Sequence, residues 1–213
     1  MDFSRPVEAL IPGAQGRVLG ALARVDAELP VSTLAAVAGV GRTRASAVLG
    51  QLADLGVVSR REVGPTVLVR LERRNAVGEL VAGLAALRRR VIEALRQLAA
   101  GLDPPPVSLF LFGSLARGNA GPASDIDFLA VRPEGADQAR WAASLTEFSS
   151  QARILTGNRI QVLDYELSDL RRRYTTDDDA AGSLFWRSVA EDALTLVGAD
   201  FREIVEGNNH ATR

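Results

Sequence analysis

The 213-residue sequence contains no cysteine, which excludes disulfide staples and thiolate metal sites. It also lacks lysine, so all 25 basic side chains are arginines, a bias that a GC-rich genome would produce. The single histidine, His210, lies in the polar tail EGNNHATR. A Ser-His-Asp triad is therefore excluded, and His210 is expected to be a tail residue rather than a ligand. No apolar run approaches the ~18 residues of a membrane span, and the N-terminus lacks a basic-then-apolar signal. A cytoplasmic protein with no membrane contact is expected.

What is present supports a core. Apolar residues make up 47% of the chain and charged residues 24%, enough for one large domain or two small ones. The net charge of −1 hides an asymmetry: residues 1–74 carry 10 arginines against 7 acids, and the remainder 15 against 19. The arginine-rich N-terminal part is the side expected to face nucleic acid.

In that part, Val18, Leu19, Leu22 and Val25 share one face of a helix over Gln15 to Ala27, which Pro30 breaks. Ser32 is placed to cap a short helix, Thr33 to Ala38. After the turn Gly39-Val40-Gly41, a helix over Arg42 to Leu55 turns Ala45, Val48, Leu49, Leu52 and Leu55 inward and ends at Gly56. Two strand-like runs follow, Val57 to Val63 and Thr66 to Leu71, joined by Gly64-Pro65. This is the order of a winged helix-turn-helix, whose second motif helix enters the DNA major groove. Its candidate DNA-binding residues are Arg42, Thr43, Arg44 and Ser46 at the helix start, with Arg42 and Arg44 near base edges. Arg60 and Arg61 on the first wing strand are expected on phosphates. A solvated face, with the domain serving dimerisation, is the competing expectation.

Asn75 to Ala100 reads as a long helix with Leu80, Leu84, Leu87, Val91, Leu95 and Leu98 at steps of three or four, interrupted by Arg88, Arg89 and Arg90. It is expected to link two domains, and a dimer seam or packing within one chain would each use its apolar face. The prolines 104–106 then force a turn or extended segment.

The most informative stretch is GSLARGNAGPASDIDFLAV, Gly113 to Val131. An apolar strand, Val107 to Phe112, leads into a Gly-Ser turn, and Asp125 and Asp127 follow two apart in a second apolar run. Residues two apart on a strand share a face. Two carboxylates on one face repel, and a divalent metal commonly relieves them. Free backbone N–H groups at a Gly-Ser turn suit phosphate. Beyond the signature, the pattern predicts a helix over Asp137 to Thr156, a strand over Arg159 to Leu163 and a helix over Leu167 to Tyr174 with Arg171, Arg172 and Arg173. An acidic turn over Thr175 to Asp179 and a last helix over Ser183 to Leu194 complete it.

Gly113, Ser114, Arg117, Gly118, Ser124, Asp125 and Asp127 resemble, in order and spacing, the signature of the nucleotidyltransferase superfamily with its polymerase-beta-like fold. The N-terminal region resembles winged-helix regulators of the MarR and ArsR type. Together they resemble bacterial transcriptional regulators that carry a nucleotidyltransferase domain, over about Pro6 to Ala199. The resemblance implies an α/β (α+β) chain. Its expected parts are a winged helix-turn-helix domain over 1–74, a linker helix over 75–103, a nucleotidyltransferase-like mixed sheet with helices over 104–205, and a flexible tail over 206–213. It implies catalytic and metal roles for Asp125 and Asp127, with Gly113, Ser114, Arg117 and Ser124 binding nucleotide. Mg2+ and an NTP are the implied cofactor and ligand, and double-stranded DNA and a second copy of the chain the implied partners.

Active members of the superfamily use three carboxylates around two Mg2+ ions. In this chain the third position falls on Gln161, whose neutral amide is not a charged ligand or base. Asp164 lies three residues further and so points to the opposite face. The first functional reading is therefore a DNA-binding regulator whose second domain binds a Mg-nucleotide. The alternative is an active Mg-dependent nucleotidyltransferase that moves NMP to a hydroxyl on a protein, RNA or small molecule. A third is one half of a toxin–antitoxin pair, which only gene neighbourhood would reveal.

Overall fold

The computed structural model describes residues 1–176 and 180–206. The chain divides into two compact units, Asp2–Leu87 and Arg88 onward. The described architecture is mixed α/β: a helical helix-turn-helix region with a small sheet, then a mixed sheet with helices. The expected tail, beyond Glu206, and His210 within it lie outside the described residues, as do the acids 177–179 of the expected acidic turn.

The first unit holds α1 (Pro6–Leu10), α2 (Gly13–Ala23), β1 (Leu29–Pro30), α3 (Val31–Val37), α4 (Arg42–Asp54), β2 (Val58–Val63), β3 (Thr66–Leu71) and α5 (Ala76–Ala85). The three strands form an antiparallel sheet in the order β1-β3-β2. The core is built from the expected faces: Val18, Leu19 and Leu22 of α2 meet Ala45, Val48, Leu49 and Leu52 of α4, and Val69 and Leu71 close it from the sheet. Leu55, expected inside, is 69% exposed, because α4 ends at Asp54 and the chain turns at Gly56 with φ +69°. Helix boundaries also differ. Helix α2 stops at Ala23 rather than Ala27, where the Arg73 guanidinium donates to the carbonyls of Ala23 (3.1 Å) and Val25 (3.4 Å). Ser32 sits inside α3, which starts directly after Pro30 without a side-chain cap.

The stretch expected as one linker helix is two, α5 and α6 (Leu87–Ala100), interrupted at Ala86. The reason is that its halves serve different cores. Val81 belongs to the core of the first unit, while α6 buries Val91, Ile92, Leu95 and Ala99 in the second. Leu80, part of the expected continuous stripe, is 70% exposed.

The second unit continues with β4 (Ser108–Phe112), α7 (Gly113–Arg117), β5 (Ile126–Arg132), α8 (Gln138–Thr156), β6 (Ile160–Glu166), α9 (Leu167–Thr176), α10 (Ala180–Asp192), β7 (Leu194–Gly198) and α11 (Phe201–Glu206). The sheet order is β6-β5-β4-β7; β5 and β6 run parallel and the other pairs antiparallel. Strand alternation sorts β5 into two faces. Leu129 and Val131 pack with Phe110, Leu170, Trp186, Val189 and Phe201. Phe128, from the other face, meets Phe148 of α8 edge-on at 5.1 Å. A sheet covered on both faces explains why β4 and β5 are nearly continuous apolar runs. Helix α8 is well delimited: the Asp137 carboxylate accepts from Ala139 and Arg140 N–H, and Gly157 closes it in the left-handed region.

Candidate functional sites

The sheet register brings the signature residues of the second unit together. Asp127 is paired with Phe112 on one side and with Gln161 on the other. It shares its face with Leu129 and Val131, so the apolar core of that face ends in a carboxylate at the start of β5. Helix α7 begins at once after Phe112. A Cβ built on Gly113 would lie 2.4 Å from Asp127 Oδ2, and Gly113 has φ +73°. Both facts require glycine, and both place the Gly-Ser turn directly against the aspartate. Leu115 and Ala116 bury the inner side of α7, and Gly118, at φ +83°, ends it.

Asp125 is held on both oxygens. Arg159 Nε donates to Oδ1 at 2.8 Å, and Arg159 Nη2 to Oδ2 at 2.5 Å. Gln161 Nε2 donates to the same Oδ2 at 2.6 Å. The Arg159 hydrogen bonds keep the Asp125 carboxyl below the usual carboxylate range. Asp127 is displaced the other way: burial raises its carboxyl, the Asp125 charge adds to the rise, and Arg117 and Arg159 oppose it. Arg117 is exposed and forms an ion pair with Asp192 at 3.3 Å. Ser114 is half-buried in the first turn of α7. The Ser124 hydroxyl accepts the Gly121 N–H at 3.0 Å, which shapes the turn into β5.

Gln161 stands beside both aspartates: it pairs with Asp127 across the sheet and donates to Asp125. Asp164 pairs with Ala130 on the opposite face. There its carboxylate accepts from Trp141 Nε1 at 3.0 Å and pairs with Arg132 at 3.0 Å. It is not a third acid for this site. Among the described residues, no group of three His, Cys, Asp or Glu side chains comes together to hold a metal.

Three contributors escaped sequence reasoning. Arg159 precedes β6 by one residue, and its partnership with Asp125 depends on a strand register that no local pattern reveals. Arg88, read as one of a basic cluster, donates through Nε to the Leu115 carbonyl at 2.8 Å and through Nη2 to that of Ala116. It thereby satisfies carbonyls at the C-terminal end of α7. Asn158 donates to the carbonyls of Ser124 (2.8 Å) and Gly121 (3.3 Å), fixing the approach to Asp125. The Arg171–Arg173 cluster is occupied: Arg171 donates to the Ile204 carbonyl at 2.7 Å, Arg172 pairs with Asp169, and Arg173 lies over the Tyr165 ring.

In the first unit, Arg42, Thr43, Arg44 and Ser46 are all exposed at the start of α4. Arg42 and Ser46 line a cleft of about 140 Å³ with Ser32, Arg60, Pro65 and Thr66. Arg60 lies along α4, its guanidinium 3.7 Å from where a Cβ on Gly50 would stand. Arg61, one residue on, points to the other face of the ribbon, where its guanidinium grips Glu28 through Nε at 3.2 Å and Nη2 at 2.5 Å. Arg60 and Arg61 therefore do not act side by side. Among the described residues Arg42, Arg44 and Arg60 have no ion-pair partner.

Comparison with known proteins agrees with this division. Residues 11–65 match the MarR family, and residues 88–175 match the nucleotidyltransferase domain. Comparison with curated proteins gives no match. Among solved structures, a mutant of the toxin–antitoxin MntA-HpeT is similar at 14% identity and TM-score 0.36, covering 54% of this chain and 77% of that one. A toxin–antitoxin with AMP-PNP is similar at 17% identity and TM-score 0.36, covering 54% and 81%. NadR in complex with 4-hydroxyphenylacetate is similar at 22% identity and TM-score 0.33, covering 43% and 69%. Among the described residues, no helix is long and apolar enough to cross a membrane.

Proposed function

For a chain that joins a MarR-family domain to a nucleotidyltransferase domain, we propose the function of a DNA-binding transcriptional regulator whose second domain senses a nucleotide. One observation carries the DNA half. The start of α4 presents Arg42, Thr43, Arg44 and Ser46 to solvent, and Arg60 of the wing stands beside them. Arginines without carboxylate partners are free to meet base edges and phosphates. A second copy of the chain would supply the second helix needed to read paired half-sites.

The nucleotide half rests on the contact between the Gly113 turn and Asp127. The turn offers backbone N–H groups to phosphate, and Arg117 and Arg159 supply positive charge around the two acids. The superfamily's two Mg2+ ions need three carboxylates, and the donor set of this site does not fit them. The third position is Gln161, whose amide N–H points at Asp125, and Asp125 has both oxygens occupied by Arg159. A sensor accords with this arrangement better than a transferase.

Selection of duplexes from a random library by the full chain tests the DNA half. An inverted repeat is expected to be enriched, with affinity falling steeply as salt rises. Recovered duplexes that bind no better than random DNA would remove the regulator reading. Calorimetry with each NTP tests the second half, where absence of binding under every condition would leave the domain without a nucleotide role.

A further inference from the structure

Arg159 directly precedes β6, and the sheet anchors its backbone. Its carbonyl accepts the Ile126 N–H at 2.9 Å, in line with the β5–β6 ladder. That fixes its backbone opposite Asp125 and lets the guanidinium meet the carboxylate with two parallel N–H bonds. Such two-point contacts are the strong form of the arginine–carboxylate pair. Gln161 reinforces it. An amide turned the other way would bring its oxygen against a carboxylate oxygen, so the donor end faces Asp125. Asp125 thus accepts three hydrogen bonds, one at Oδ1 and two at Oδ2. A guanidinium keeps its proton at every pH a protein tolerates, so the cation is not lost by its own titration.

We propose that Arg159 is a resident cation that stands where a divalent metal would stand against Asp125, so that the site takes a nucleotide without Mg2+. The guanidinium neutralises one of the two acids, and its exposed side is left for incoming phosphates. Arg159 is 72% exposed and Asp125 25% exposed, which leaves the cation reachable by ligand while its anchor stays partly enclosed. This rests on the nucleotide reading above only for its second arm.

The first arm needs no nucleotide. Binding of Mn2+ alone to the full chain, followed by the loss of the free-ion spin resonance signal, is expected to be weak in the natural protein. It should be about tenfold tighter in Arg159→Ala, the equivalent of one charge-assisted hydrogen bond. Gln161→Glu added to Arg159→Ala should tighten it again, and Asp125→Ala should abolish the gain. Equal Mn2+ affinity in the natural protein and Arg159→Ala would overturn the proposal. The second arm is calorimetry with ATP in EDTA and in Mg2+. The natural protein should bind equally in both, within about twofold. Arg159→Ala should lose about tenfold in EDTA and recover with Mg2+. ATP binding by the natural protein that requires Mg2+ would refute the assignment. If ATP binds under neither condition, the nucleotide reading fails and the Mn2+ arm alone decides the role of Arg159.

Discussion

Replacing Gly113 by alanine separates two costs that the structure superimposes. The backbone there has φ +73°, which costs an L-residue about 1 kcal/mol or somewhat more. The new methyl would also stand 2.4 Å from Asp127 Oδ2 and 3.3 Å from its Cγ, forcing the carboxylate from its rotamer at a further cost of about 1 kcal/mol. Gly135 supplies the control, since it has φ +70° and nothing within 4 Å of the corresponding position. Gly135→Ala is therefore expected to cost about 1 kcal/mol and Gly113→Ala about 2–3 kcal/mol. At about 4 °C per kcal/mol for a domain of this size, the shifts are roughly 4 °C and 8–12 °C. Both tryptophans, Trp141 and Trp186, lie in the second unit, so intrinsic fluorescence during unfolding reports that unit. Shortening Asp127 to alanine leaves only its Cβ, at an ordinary 3.6 Å. In that background Gly113→Ala should cost no more than Gly135→Ala, a coupling of about 1 kcal/mol in a double-mutant cycle. Equal costs for the two glycine substitutions in the natural background, or strict additivity in the cycle, would refute the close approach of turn and aspartate.

The raised Asp127 carboxyl means that the folded chain holds that proton more tightly than the unfolded one. This contribution is complete below the unfolded value and is lost as pH rises through the folded one. Asp127→Asn should therefore be more stable than the natural protein at neutral pH and lose that advantage in acid, as read by denaturant midpoints across pH. Asp125 carries the opposite sign, so its contribution is present above the usual carboxylate value and fades as pH falls through the folded one. Asp125→Asn should accordingly weaken the fold at neutral pH. Asp164→Ala leaves the Trp141 N–H without its partner and should cost about 1–3 kcal/mol without changing Mn2+ or nucleotide binding; an effect on ligand with none on stability would contradict its place on the far face. Arg42→Ala and Arg44→Ala should each lower specific DNA affinity by about 1–3 kcal/mol if they read bases, or reduce the salt slope by about 1 if they meet phosphate. Arg61→Ala, at a residue held by Glu28 on the other face of the ribbon, should lower DNA affinity far less than these two, and fluorescence anisotropy at several salt concentrations checks all three.

Much of this protein is legible in its sequence, and the reason is periodicity. The helical faces of Val18, Leu19 and Leu22 and of Ala45, Val48, Leu49 and Leu52 form the first core as the 3.6-residue repeat requires. The two-residue repeat, extended one residue before β5, puts Asp125 and Asp127 on one face and, on β6, sends Asp164 to the other. Gly113 was legible as part of a Gly-Ser turn, and the place of Gln161 came from the family resemblance, by alignment on the preceding glycine. Local pattern failed wherever a distant partner decided the outcome. The stretch from Asn75 to Ala100 carries a continuous apolar repeat, yet it divides because Val81 and Leu95 answer to separate cores. Helix α2 ends at Ala23, whose carbonyl accepts from Arg73, fifty residues away. Arg61 is drawn to Glu28 while Arg60 faces α4, although the two adjoin in sequence. Arg159 stands against Asp125 only because β5 and β6 run parallel in one register. Sequence alone determined which side chains share a face, since that depends on repeats along one segment; tertiary structure alone decided which cation meets which acid, since that depends on how separate segments align.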